Sequence, residues 1–304
     1  MKNIDYDVII IGAWSAGYPA WMYASRYKLK NLIIWAQLGW ALATSHKVEN
    51  YPWILSAPWK EIMENFKNHA KISGSEILNE FVTEINKENS IFTIKTSSWK
   101  IFKSKYIIIA TWNNYKKLWV KWESEFLWKW VSYCATCDWM FFKWRDIILV
   151  GGWNTAVTEA LYLSEICKKV YIVHRRDTFR AEDIWVEHAK NKSNIEFVLN
   201  DEVEEIKWDS LWMTWVILKS WKEIEAEGIF VAVWNIPNIW LLDWFSIEKD
   251  EEWCLIVDKR QETSIKWIYA AWDVTTNSNK FRQTIMSAAE WCLAANSVHE
   301  DNLR

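Results

Sequence analysis

One pattern occurs twice in this chain and limits its fold more than anything else: an apolar run, a glycine turn, then a helix. Residues 8–11 lead into Gly12-Ala13-Trp14-Ser15-Ala16-Gly17, and residues 147–150 lead into Gly151-Gly152-Trp153-Asn154-Thr155-Ala156. A continuous apolar run reads as a parallel strand buried on both faces. G-x-G-x-x-G/A opening a helix is the turn that seats a dinucleotide pyrophosphate on a helix N-terminus. The pattern therefore predicts a strand over 7–11, a helix over 16–27 and a strand over 32–34, repeated as strand 146–150, helix 154–164 and strand 169–173. Each half continues with short alternating strands, over 81–96 and 203–226, and closes on a buried strand that ends at a Trp, over 107–112 and 229–234. One such match is weak, whereas two in the same strand-turn-helix context form an internal repeat. The C-terminal stretch, a strand over 268–273 and a helix over 283–298, starts no third unit and is expected to return to the first. The expected class is α/β: two three-layer, Rossmann-like dinucleotide-binding domains, residues 1–117 with 247–304 and residues 118–246, the second inserted in the first. Stretches 118–122 and 240–244 would be the two linkers, a connection that permits rotation of one domain on the other.

The turns carry a contradiction. The chain has 27 Trp and 7 Gly in 304 residues, where an average composition gives about 21 Gly. Trp14 and Trp153 occupy the second glycine slot, the one left bare so that the pyrophosphate can reach the backbone. An indole there fills the phosphate site. Most of these Trp are therefore read as glycines decoded through the wrong table, since some bacterial lineages translate UGA as Gly and others as Trp. Trp21, Trp185 and Trp291, inside predicted helices, are the weakest members of that set. If the Trp are physical, the chain is an inactive scaffold that keeps the fold.

Composition excludes several classes. Thirty-six basic against 39 acidic residues leave a net charge of −3, no electrostatic footprint for nucleic acid or an anionic membrane. No apolar run approaches the roughly 20 residues that span a bilayer. Residues 1–6 run straight into a strand without a signal-peptide pattern, so a cytoplasmic protein is expected. Five cysteines make no disulfide framework. Cys167, Cys254 and Cys292 stand alone and read as small buried residues, whereas Cys134-Ala135-Thr136-Cys137-Asp138 holds two at the spacing where one thiolate attacks and the other resolves. No second Cys or Cys/His pair accompanies them, so no metal site is expected. Asp138 is placed to protonate a departing thiolate, or to cap the following turn.

Nucleotide choice is written unevenly. A dinucleotide site places an acid after the second strand, yet Ile34-Trp35-Ala36-Gln37 holds none. In the second unit His174-Arg175-Arg176, with Arg180 a turn further on, offers guanidiniums where an adenosine 2′-phosphate would sit, as in NADP; the alternative is a solvated basic cluster. Asp273 of Trp272-Asp273 would reach a hydroxyl of a flavin's ribityl chain. Arg282-Gln283-Thr284 opens the last helix, whose N-terminus favours negative charge on a reduced ring.

Together these segments resemble the low-molecular-weight thioredoxin reductases, over about residues 6–295. The likeness is carried by the first glycine turn, Val48-Glu49-Asn50-Tyr51-Pro52-Trp53, Ala110-Thr111-Trp112, Ser132-Tyr133-Cys134-Ala135-Thr136-Cys137-Asp138-Trp139, the second glycine turn, the stretch from His174 to Glu182, Trp272-Asp273-Val274 and Phe281-Arg282-Gln283. That family has Gly where this chain has Trp at 14, 53, 112, 139, 153 and 272. The resemblance implies a homodimer using NADPH and FAD, with thioredoxin as protein substrate. It implies FAD contacts at Gly12, Trp14, Ser15, Ala16, Gly17, Gly39, Trp40, Ala41, Asn50, Trp112, Trp272, Asp273, Arg282, Gln283 and Thr284. NADPH contacts fall on Gly152, Trp153, Asn154, Thr155, His174, Arg175, Arg176 and Arg180. Cys137 becomes the flavin-side cysteine, Cys134 the exchanging one and Asp138 the acid. Ala41 departs from the Gln common in that family. A related flavin-dependent disulfide or peroxiredoxin reductase is the nearest alternative, although peroxiredoxin-linked relatives carry an extra N-terminal region that this chain lacks.

Overall fold

The computed structural model describes residues 4–12, 17–35, 48–73, 76–111, 113–114, 116–127, 129–209, 213–233, 236–277 and 283–304, with the side chains of Trp59, Asn114, Thr136 and Cys137 outside that description. In chain order the first elements are β1 (Tyr6–Ile11), α1 (Gly17–Arg26), β2 (Asn31–Ile34), α2 (Trp59–Ile72), β3 (Glu76–Leu78), β4 (Val82–Glu88), β5 (Ile91–Thr96), β6 (Ile101–Ile109), β7 (Asn113–Asn114) and β8 (Val131–Ser132). They are followed by α3 (Ala135–Asp138), β9 (Asp146–Val150), α4 (Asn154–Ser164), β10 (Lys169–His174), α5 (Asp183–Lys190), β11 (Ile195–Leu199), β12 (Val203–Trp208), β13 (Met213–Leu218), β14 (Glu223–Glu225), β15 (Ile229–Val231), β16 (Ile236–Pro237), β17 (Ile268–Ala270) and α6 (Thr284–Asn302).

The first sheet has the order β3-β2-β1-β6-β5-β4, with β17 joined in parallel to the C-terminal half of β6. The second has the order β11-β10-β9-β15-β8 and is parallel throughout. A strand turns successive side chains to opposite faces, and both sheets use this. Val8 and Ile10 of β1 face α1, α2 and α6, while Ile9 and Ile11 face Phe92 and Ile94 of β5 together with Leu241, Leu242 and Ile247. In the second unit Ile147 and Leu149 pack on Ala156, Val157 and Ala160 of α4, while Ile148 and Val150 pack on the antiparallel β12-β13-β14 layer. Both units are thus three layers deep, and the β1-α1-β2 path recurs as β9-α4-β10. The chain crosses between them at the antiparallel pair of β7 with β16.

Backbone dihedrals add a fact that side-chain patterning does not contain. Thirteen non-glycine residues have positive φ among the described residues, and nine are tryptophan: Trp53, Trp99, Trp119, Trp122, Trp144, Trp221, Trp253, Trp267 and Trp272, with φ from 61° to 75°. A left-handed conformation costs an L-residue about 1–2 kcal/mol, so nine together cost about 9–18 kcal/mol. That is as large as the whole net stability of a typical domain, about 5–15 kcal/mol.

Candidate functional site

Each strand-turn-helix repeat builds a turn that excludes a side chain. Gly12 follows β1 with φ +106°, and its N–H donates to the Ile34 carbonyl at 3.0 Å. A Cβ added to it would lie 2.1 Å from the Ala110 carbonyl oxygen, a backbone atom that cannot yield. At Gly152 a Cβ would lie 2.2 Å from the His174 ring. That ring is buried, bonds the Thr178 carbonyl through Nε2 at 3.1 Å and stacks on Phe179. Burial, then the charges of Arg175, Arg176 and Arg180, depress its pKa, so His174 holds the loop while the exposed arginines carry the charge. Gly151, Gly152, Trp153, His174 and Arg175 line a cavity of about 560 Å³ with Lys117, Lys121, Lys219, Asp201 and Glu202. Arg176 and Arg180 are exposed beside it. Trp153 is the residue before α4 and has extended backbone, and the Arg180 guanidinium lies 5.0 Å from its ring centroid. Asn154 is tied to Glu182 twice, by its amide at 2.9 Å and from the Glu182 N–H at 2.7 Å; Thr155 is exposed.

In the first unit Gly17 begins α1 and is buried. The Asn50 amide donates to Gln283 Oε1 at 2.9 Å, just before α6, which Thr284 opens, and lies 3.5 Å from Glu182 Oε1 of the second unit. Asp273 is buried beside Trp272, whose N–H donates to Glu290 at 2.7 Å. Trp14, Ser15, Ala16, Gly39, Trp40, Ala41, Trp112 and Arg282 lie outside the described residues.

The cysteine segment runs from β8 into α3. Cys134 is disulfide-bonded and 3% exposed. Its N–H donates to Ser132 Oγ at 3.0 Å, and the Ser132 hydroxyl donates to Asp138 Oδ2 at 2.7 Å. The other three cysteines are free thiols. Burial pushes Cys167 up to about 12 and Cys292 up to about 11, which keeps both protonated and unreactive. Beneath α3, Glu159 of α4 is buried, accepts the Ala135 N–H, and is pushed up to about 8 by burial. Glu123, also buried, accepts the Leu118 and Trp119 N–H groups at 2.8 and 2.7 Å and the Tyr133 hydroxyl. Ser132, Glu123 and Glu159 were not singled out from sequence. Glu159 alone left a sign there, as one acid among Ala156, Ala160 and Leu163 on the helix face that meets the core.

Residues 6–290 match the pyridine nucleotide-disulphide oxidoreductase family, and the chain belongs to that family. Within it the resemblance is to thioredoxin reductases. One from Helicobacter pylori is 35% identical over 96% of this chain and 97% of its own length. The thioredoxin reductase of Lactococcus lactis in the FR conformation superposes with a TM-score of 0.92 at 33% identity, covering 97% of this chain and 98% of that one. The Streptococcus pyogenes enzyme covers the same 97% of each chain at 30% identity but with a TM-score of 0.62.

Proposed function

We propose that this chain is a thioredoxin-disulfide reductase that carries two electrons from NADPH through FAD to the Cys134/Cys137 pair and on to thioredoxin. The observation that carries the reading is the oxidised Cys134 at the start of α3, coupled through Ser132 to the Asp138 carboxylate, in a chain with two nucleotide turns. NADPH, when bound, supplies a hydride, and FAD passes its two electrons to a disulfide. FAD would lie on Gly12, Gly17, Asn50, Asp273, Gln283 and Thr284, NADPH on Gly152, Asn154 and Thr155 with Arg175, Arg176 and Arg180 at the 2′-phosphate. The bare backbone at Gly12 and Gly152 fits the close approach of a pyrophosphate; the indole of Trp153 does not.

Reduction breaks the S–S bond with two electrons: Cys137 takes them on the flavin side, and Asp138 gives a proton to the departing sulfur. Asp138 takes that proton back as the Cys134 thiolate attacks one sulfur of the substrate disulfide; Cys137 resolves the mixed disulfide, the protons of the two cysteines pass to the leaving sulfurs, and dithiol leaves while the pair is reoxidised. A cysteine that is 3% exposed cannot meet a folded protein, so the unit bearing it must rotate on the first. The contrast between TM-scores of 0.92 and 0.62 at equal coverage supports a family with two domain arrangements. Met140 and Phe141, directly after α3, are exposed apolar residues suited to a protein substrate. The proposal includes a cytoplasmic homodimer; no helix among the described residues is long and apolar enough to cross a membrane.

The test is NADPH oxidation with thioredoxin as acceptor. Cys134→Ser should keep the yellow flavin and lose thioredoxin reduction; a variant that still reduces thioredoxin at the parent rate refutes the assignment.

A further inference from the structure

We infer that the protein as its own cell makes it carries glycine at many positions written Trp, and that backbone and burial mark eleven of the 27. Four hairpins among the described residues repeat one geometry. Thr96 N–H meets Lys100 O at 3.0 Å and Trp99 N–H meets Thr96 O at 2.9 Å; Leu218, Lys222 and Trp221 repeat this at 2.9 and 2.9 Å, and Asp250, Cys254 and Trp253 at 2.9 and 3.0 Å. This is the three-residue loop whose last residue is left-handed and normally glycine. Trp occupies that place in these three, with φ of 65° or 66°, and Gln261 holds it with φ 65° in the fourth, where Asp258 N–H meets Glu262 O at 2.9 Å and Gln261 N–H meets Asp258 O at 3.1 Å. Trp also holds the third position of the β-turns 51–54, 142–145 and 265–268, closed by N–H to O bonds of 3.1, 3.2 and 3.1 Å. Trp53, Trp144 and Trp267 have φ of 75°, 64° and 73°, while Pro52, Lys143 and Lys266 before them do not have positive φ. That is the type II turn, which calls for Gly at this place and favours the proline that Pro52 supplies. Packing compensates little at four of the six, since Trp53 is fully exposed and Trp99, Trp144 and Trp221 are largely so, whereas Trp267 is partly buried against the core.

The same inference reaches two helices. Trp21 on α1 and Trp291 on α6 are wholly buried, and neither indole N–H has a partner, a state that interiors avoid. Glycines there would let the two helices approach directly. Trp185, on the helical backbone of α5 with its ring edge toward His188, carries no such demand and is left as Trp. The inference stands on backbone and burial alone and does not depend on the reductase reading. Its consequence is that Trp14 and Trp153 become the second glycines of two phosphate turns. The test is peptide mass mapping of the protein isolated from its source cells, on tryptic peptides 267–280, with Trp267 and Trp272, and 146–168, with Trp153. Glycine masses at all three are expected; a tryptophan mass at 267 or 272 overturns the inference.

An independent observation assigns Ser132 as the positioning residue for Asp138, which rests on the disulfide reading above. Ser132 is buried, and its one hydroxyl accepts the Cys134 N–H while donating to Asp138, 3.2 Å from the Cys134 carbonyl oxygen. It therefore fixes the acid against the cysteine backbone. Parent activity with thioredoxin is measured first, so that failure of the disulfide reading shows there. In active holoenzyme, Ser132→Ala should lower kcat about tenfold, the worth of one hydrogen bond to a charged group, with flavin content unchanged and the pH profile displaced. Ser132→Thr should restore both. An Ala profile that superposes on the parent, or an Ala effect equally large in an Asp138→Asn background, overturns the assignment.

Discussion

If left-handed Trp are misfits, replacing them by Gly must stabilise a protein in which they are physically present, the reverse of what Gly does elsewhere. In protein made with Trp codons throughout, consider Trp99→Gly, Trp221→Gly and Trp253→Gly together. Each removes a left-handed penalty of about 1–2 kcal/mol. Each also returns about 0.5–1 kcal/mol of chain entropy to the unfolded state. Trp99 and Trp253 lie under Lys95 and Lys249 at 6.0 and 5.3 Å, contacts of about 0.5 kcal/mol at exposed sites. The net is a gain of a few tenths to about 1 kcal/mol per site, largest at Trp221, and the three hairpins are separate enough to add. Urea unfolding should show a higher midpoint at unchanged slope. Melting should rise by about 2–4 °C for each kcal/mol in a chain of this size. The matched Trp→Ala triple keeps a Cβ at each left-handed residue and should gain nothing. A Gly triple no more stable than the parent, or an Ala triple that gains equally, refutes the reasoning.

Gly12→Ala should lose flavin and several kcal/mol of stability, because its Cβ meets backbone at 2.1 Å with φ +106°, a clash that core overpacking puts at about 1–3 kcal/mol beyond the dihedral strain; flavin absorbance and a melt report it. Gly152→Ala meets the His174 ring instead, so its loss should fall on the KM for NADPH, with flavin retained. Replacing Arg175 and Arg176 by Ala should raise the KM for NADPH about 10–100-fold, the worth of charged hydrogen bonds to a phosphate, and leave NADH use nearly unchanged; equal losses with both cofactors contradict the 2′-phosphate assignment. Glu159 has its pKa raised to about 8 in the folded chain, so its contribution to stability is whole below the ordinary carboxylate range and is lost as pH rises through 8. Glu159→Gln should flatten that fall, and urea midpoints at pH 6 and pH 9 that decline as steeply as the parent's exclude it.

The sequence carried the repeat because apolar runs need no glycine to be recognised. Strands expected over 7–11 and 146–150 are β1 and β9 to within a residue, and the helix expected over 154–164 is α4 to the residue. The helices α2 and α5 were not foreseen, since each buries only a narrow face and follows a segment without a capping side chain. At the site, Cys134 and Asp138 were legible as neighbours in sequence. Ser132 and Glu159 were not, because their roles come from β8 and α4 meeting α3 in space.

Glycine and tryptophan leave different traces, and this separates what a mis-written chain loses from what it keeps. Glycine acts by allowing left-handed backbone and close approach, so a changed letter removes the motif from sequence while the turn around it still demands the same φ. The demand is enforced by neighbours: Pro52 sets the turn that makes Trp53 left-handed, and the ladder closing Leu218 on Lys222 does so for Trp221. Tryptophan that belongs would instead show a buried ring with a paired N–H, which Trp21 and Trp291 lack. Left-handed backbone and an unpaired buried indole are therefore two unrelated tests, the first marking Trp53 and Trp221 and the second Trp21 and Trp291. Where both apply along one chain, the backbone is the better record of the residue for which the fold was selected.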